Sequence, residues 1–225
     1  MSLNAKRAVG VTLGVVMVGL AIGLYIALFL LHAPGAASAQ QSSAGTNLYL
    51  ATVPSAKGND PHPTWVSYYA VNPGNANWRT GWRHDTTYVL PAHSLVHVTI
   101  YQYDGASGLR NPFLSQATGV VGGTFQLNGT TTEAINPNNA SHVFAIPNLG
   151  ISVPLQGVSP TAKNPCANAP CSLSMDHETI SFTIRTPGKG LYRWQCLVPC
   201  AAGYIEGFGG PMQTVGYMDG FIKVV

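Results

Sequence analysis

The segment Trp194-Gln195-Cys196-Leu197-Val198-Pro199-Cys200 sets two thiols four positions apart, ahead of a Gly-rich run that ends at Pro211-Met212. Two thiols, a turn and a thioether form a donor set for a soft metal. Thiolate and thioether ligands favour copper in small sites, and zinc or iron–sulfur clusters where more thiols are at hand. Spacing alone also allows a disulfide between Cys196 and Cys200. Upstream, Glu178 to Ile184 alternates polar with apolar, Thr186-Pro187-Gly188-Lys189-Gly190 breaks the pattern, and Leu191-Tyr192-Arg193-Trp194 runs into Cys196. This predicts strand, turn and strand, with Cys196 where the second strand ends.

Working outward, the composition agrees with strands. Charged residues make up 8% of the 225-residue chain, against 25 Gly and 16 Pro, a balance suited to short strands and many turns. The first forty residues differ from the rest, which leaves about 180 for one folded domain with a sizeable core. A formal charge of +3, with no basic run, argues against a nucleic-acid partner. No Gly-x-Ser-x-Gly elbow occurs and carboxylates number only eight, so no hydrolytic constellation is visible and nothing marks a stand-alone enzyme.

At the N-terminus, Lys6 and Arg7 precede an uncharged apolar run from Ala8 to Leu31. As a helix the run would span about 36 Å, enough for a hydrocarbon core of about 30 Å with some tilt. The basic pair ahead of it places the N-terminus in the cytoplasm and the remainder outside. Ala37-Ser38-Ala39 resembles a signal-peptide cleavage site, but the run is longer than a signal peptide's apolar region, and an uncleaved single-pass anchor is expected. Gly10/Gly14 and Gly19/Gly23 are spaced to let another helix approach closely. The expected division is therefore residues 1–32 as cytoplasmic stub and membrane anchor, 33–46 as a flexible tether of Pro, Gly, Ala, Ser and Gln, and 47–225 as one domain.

Within that domain, strands are expected at Asn47–Val53, Thr64–Val71, Thr86–Leu90, Leu95–Tyr103, Ser141–Pro147 and Tyr217–Val225, with a hairpin around Asn128-Gly129. In Leu95–Tyr103, Val96, Val98 and Ile100 share one face, and His97, Thr99 and Tyr101 the other. Asp104 to Gly123 carries no assignable pattern. Cys166 and Cys171, in a polar, Pro-containing insertion, are expected to staple it as a disulfide. At least eight short strands and no helical pattern beyond the anchor predict an all-β sandwich or barrel.

Three stretches in one order resemble the cupredoxin superfamily: Val89-Leu90-Pro91-Ala92 leading to Leu95–Ile100, then Ser141-His142-Val143-Phe144-Ala145-Ile146, then Pro187 to Cys196. The resemblance implies a Greek-key β-sandwich, with His142 as the first copper ligand and Cys196 as the copper cysteine. An anchor plus Cys-x-x-x-Cys looks most like the dinuclear copper domain of cytochrome oxidase subunit II. That family places a histidine and then a methionine after the second cysteine; here Tyr204 and Gly207 stand in those places. The ligand set implied for this chain is His142, Cys196, Cys200 and, after an enlarged loop, Met212. One imidazole, two sulfurs and a thioether are softer than the two-His, one-Cys blue-copper set and favour Cu(I). The resemblance implies a copper-binding electron-transfer component beside a membrane respiratory protein. Its alternatives are a metal-free structural subunit with a Cys196–Cys200 disulfide, and a Cu(I) carrier. Met218 is expected in the core, and His62, His84, His93, His97 and His177 away from the metal.

Overall fold

The computed structural model describes residues 3–26, 36–42, 45–75, 77–107, 111–199 and 210–225. The chain divides into two compact units, Met1–Pro34 and Gly35–Val225. In the first, helix α1 runs over Leu3–Tyr25. Its large apolar side chains from Leu13 to Leu24 are exposed on all sides, unlike the single stripe of a helix packed on a core. Among the described residues no helix is long and apolar enough to cross a membrane. The end of the expected anchor, residues 27–32, lies outside the described residues.

The second unit is a sandwich of two mixed sheets. One has the order β1 (Ala36–Ser38), β5 (Thr87–Leu90), β13 (Asp219–Val224), β12 (Gly190–Gln195), β9 (Ala140–Ile146) and β10 (Ile151–Gln156). The other has the order β2 (Gln40–Ser42), β3 (Gly45–Val53), β6 (Leu95–Gln102), β11 (Glu178–Arg185), β7 (Phe125–Leu127) and β8 (Thr130–Thr132), with β4 (Ser67–Ala70) also paired to β3. The pairs β1–β5, β5–β13 and β3–β6 are parallel and the rest antiparallel. Parallel neighbours cannot be joined by a tight hairpin, so the chain crosses between the sheets.

Side-chain alternation produces the core. Val96, Val98 and Ile100 of β6 are fully buried and sit opposite Ile184, Phe182 and Ile180 of β11. His97 on the other face is exposed. Between the sheets Trp194 packs against Phe144, Tyr88 and Tyr68, and its indole N–H donates to the carbonyl of Thr86 at 2.8 Å. Met218 lies in this core, as its place in the sequence suggested. The hairpin between β7 and β8 turns on Asn128 and Gly129, both with positive φ (52° and 82°), the turn type that matches strand twist.

A second apolar cluster, around Ala51, Val53, Tyr69, Trp82 and Tyr103, gathers Ala169 and the Cys166–Cys171 disulfide of the polar insertion. Trp78 Nε1 donates to the carbonyl of Cys171 and the Tyr103 hydroxyl to that of Ser172, which ties the stapled loop down.

Two local expectations differ from the fold, and one unassigned stretch is filled in. Residues 36–42, read as tether, supply β1 and β2, because unpaired edges of β5 and β3 accept them as ladder partners. The strand expected from Thr64 starts only at Ser67, since Trp65 N–H closes a turn onto the carbonyl of His62. Among its described residues, the unassigned stretch 104–123 contains two short 3₁₀ turns, at Pro112–Ser115 and Val121–Gly123, and is bridged to β10 through Thr118 and Ser152.

Candidate metal centre

His142 lies on β9, two residues before Phe144 and therefore on the same face of the strand. Cys196 follows the end of β12, two residues after Trp194. Both residues are fully buried. Their strands are neighbours in one sheet, and His142 Nδ1 faces Cys196 Sγ at 4.0 Å. The sulfur accepts the N–H of Val143 at 3.5 Å and lies 3.5 Å from the carbonyl of Val198. The backbone N–H of Cys196 donates to the carbonyl of Met218, and that of Met218 to Pro211, so the returning segment 211–218 is laced to the cysteine.

The other nitrogen of the imidazole is also placed. His142 Nε2 is 2.9 Å from Asp104 Oδ2. Asp104 stands just past β6, in a loop held against β9 and the segment after β10: Ser107 N–H donates to Ala140, and Val158 N–H to Asp104. The approach requires glycine at 157, where a Cβ would come within 2.3 Å of the backbone nitrogen of Ala106. Burial pushes the His142 pKa down, but the Asp104 hydrogen bond and the neighbouring Cys196 outweigh it and raise it to about 9.

The geometry between these two donors fits a metal. A metal–nitrogen bond of about 2.0 Å and a metal–sulfur bond of about 2.3 Å together slightly exceed the 4.0 Å gap, so one ion can bridge them with a bent angle. A carboxylate on the far nitrogen is the usual support of a ligating imidazole, fixing its tautomer and its orientation. Met212 lies half-buried in the short helix α2 (Gly210–Gln213), and its carbonyl accepts Gln195 Nε2 at 2.7 Å, one residue from Cys196. Cys200, with Tyr204 and Gly207, lies outside the described residues. Among the described residues no group of three or more His, Cys, Asp or Glu side chains could hold a metal. The structure thus brings His142 and Cys196 together and ties the backbone of Met212 to the residue beside Cys196.

His62, His84, His97 and His177 have partners of their own. His97 Nδ1 pairs with the Thr183 hydroxyl, His62 stacks on Trp65, and His177 Nδ1 lies on the carbonyl of Met175. His84, expected away from the metal, is mostly buried: Nδ1 meets Asp60 Oδ2 at 2.8 Å and the ring stacks on Tyr69. Sequence reasoning missed both carboxylates. Each is far from its histidine in the chain, and no local pattern marks either one.

No family model matches the chain, and no curated protein matches it. Among solved structures it is similar to rusticyanin from Thiobacillus ferrooxidans, with 16% identity over 84% of this chain and 82% of that chain and a TM-score of 0.32. It is also similar to the periplasmic domain of subunit II of cytochrome oxidase (CoxB) of Bradyrhizobium japonicum, with 14% identity over 79% and 83% and a TM-score of 0.28. The fold of this chain is a β-sandwich of two mixed sheets.

Proposed function

We propose that this chain is a membrane-anchored, extracytoplasmic copper-binding protein that takes part in electron transfer, as a component resembling an oxidase subunit II. The observation that carries the reading is the buried pair of His142 and Cys196, 4.0 Å apart, with Asp104 behind the imidazole. In this reading His142 and Cys196 hold the ion, and Cys200 and Met212 complete a sulfur-rich set. Copper bound there would supply one-electron chemistry. The chain's own part is positional. Asp104 keeps Nδ1 turned toward the sulfur, the N–H of Val143 steadies that sulfur, and the Trp194–Phe144–Tyr88 stack keeps water from the inner side.

The anchoring part rests on Lys6 and Arg7 ahead of the apolar run, and on the all-round apolar surface of α1. The glycines at 10/14 and 19/23 are where a helix of a respiratory membrane protein would pack.

The test is copper analysis and visible absorption on the detergent-solubilised full-length protein, beside Cys196→Ser and His142→Ala variants. Bound copper with an intense thiolate charge-transfer band, lost in both variants, is the expected result. Colourless Cu(I) taken up only under reduction would make the protein a carrier. No copper together with a Cys196–Cys200 disulfide would overturn the metal reading.

A further inference from the structure

Seven residues, 36–42, touch both sheets. β1 runs parallel to β5, with Ala37 opposite Tyr88, and β2 runs antiparallel to β3, with Gln40 opposite Asn47. Ala39 lies between them and its N–H donates to the carbonyl of Val89 at 3.0 Å. Ala37 is 5% exposed and belongs to the inter-sheet core with Tyr88 and Leu90. Arg83 Nη2 donates to the carbonyl of Ala36 at 2.8 Å. One short segment therefore covers the edge of β5 in one sheet and the first residues of β3 in the other.

The same segment contains Ala37-Ser38-Ala39, small residues at alternate positions of the kind cut after export. Hydrolysis after Ala39 would remove β1. It would uncover the parallel edge of β5, leave a gap beside Tyr88 and take away the carbonyl that Arg83 holds. An uncovered strand edge is a template for unwanted pairing. We propose that residues 36–42 are a clasp that closes the sandwich, and that Ala37-Ser38-Ala39 is kept as structure rather than used as a processing site, so the domain stays covalently joined to its N-terminal helix. This deepens the anchoring part of the proposed function and is independent of copper.

Two measurements on the exported full-length protein test it. Intact mass and N-terminal sequencing should show residues ahead of Ala36 still attached; a chain beginning at Gln40 would overturn the proposal and the anchor with it. Hydrogen exchange should show the Ala39 amide protected. Ala37→Asp should lower the melting midpoint by about 10 °C, since a carboxylate would be buried without a partner, while Ser38→Asp on the exposed side should leave it within about 2 °C. If Ala39 exchanges at the rate of free chain and both variants melt alike, the clasp is wrong even where the anchor is retained.

Discussion

Asp104 reaches from the loop after β6 to β9 and meets His142 there, Oδ2 to Nε2 at 2.9 Å, with the imidazole fully buried and the carboxylate 25% exposed. The pair fixes which nitrogen is free. With Nε2 given to Asp104, only Nδ1 remains to face Cys196. Without that carboxylate the ring could rotate or take the other tautomer, and the donor pair would lose its alignment.

Asp104→Asn keeps the size and loses the charge. The fold should survive, because the loop is also held through Ser107 and Val158. Copper affinity should fall about 10–100-fold, the usual cost of removing the partner of a ligating histidine. A competitive copper titration measures this, and unchanged affinity with an unchanged absorption band would mean that Asp104 has no part in the site.

The same pair gives the metal-free protein a pH signature. His142 is raised from 6.5 to about 9 when folded, because Asp104 and Cys196 outweigh its burial. A raised pKa stabilises the fold fully below pH 6.5, and that contribution is lost as the pH climbs through about 9. Urea midpoints of the metal-free protein should therefore decline between pH 6.5 and 9.5. The decline should be shallower in Asp104→Asn. Parallel profiles for the two proteins would remove His142 as the source.

Much of the sandwich was legible because its strands alternate. Val96, Val98 and Ile100 announce a buried face, and Asn128-Gly129 announces a hairpin, since few other dipeptides accept two positive φ values. Residues 36–42 were illegible for the opposite reason. Ala, Ser and Gln carry no period, and the edges of β5 and β3 that order them lie elsewhere in the chain. At the candidate site, Cys196 could be singled out by its spacing to Cys200 and by the strand it follows, and His142 through the resemblance of its strand, but Asp104 could not. Its approach depends on a backbone contact at Gly157, which no local pattern encodes.

That contact is itself testable. A Cβ at position 157 would sit 2.3 Å from Ala106 N and 2.6 Å from the carbonyl carbon of Gly105, so backbone must move. Gly157→Ala should cost about 1–3 kcal/mol by overpacking. The loop that moves carries Asp104, so copper affinity should drop as well. Gly129→Ala is the comparison: its added Cβ meets nothing within 4 Å, its cost comes from the positive φ, and it leaves Asp104 in place. Loss of stability without loss of copper in Gly157→Ala would separate the loop from the site.

His84 gives the opposite pH dependence and closes the electrostatic account. Its Nδ1 pairs with Asp60, whose other oxygen takes the Tyr217 hydroxyl and the N–H of His62. Its Nε2 is buried with no hydrogen-bond partner among the described residues. A second proton would therefore have no acceptor, and burial lowers the pKa below 6.5 even though Asp60 and Asp85 pull it up. Below pH 6.5 the unfolded chain binds that proton more readily than the folded one, so stability falls as the pH drops through the folded pKa. His84→Gln cannot take up the proton. It should be less stable than the parent at pH 7.5, through loss of the Asp60 pair and the Tyr69 stack, yet lose less on going to pH 5. Denaturation of both proteins at the two pH values decides it: an equal loss in parent and variant would assign the acid sensitivity to other groups.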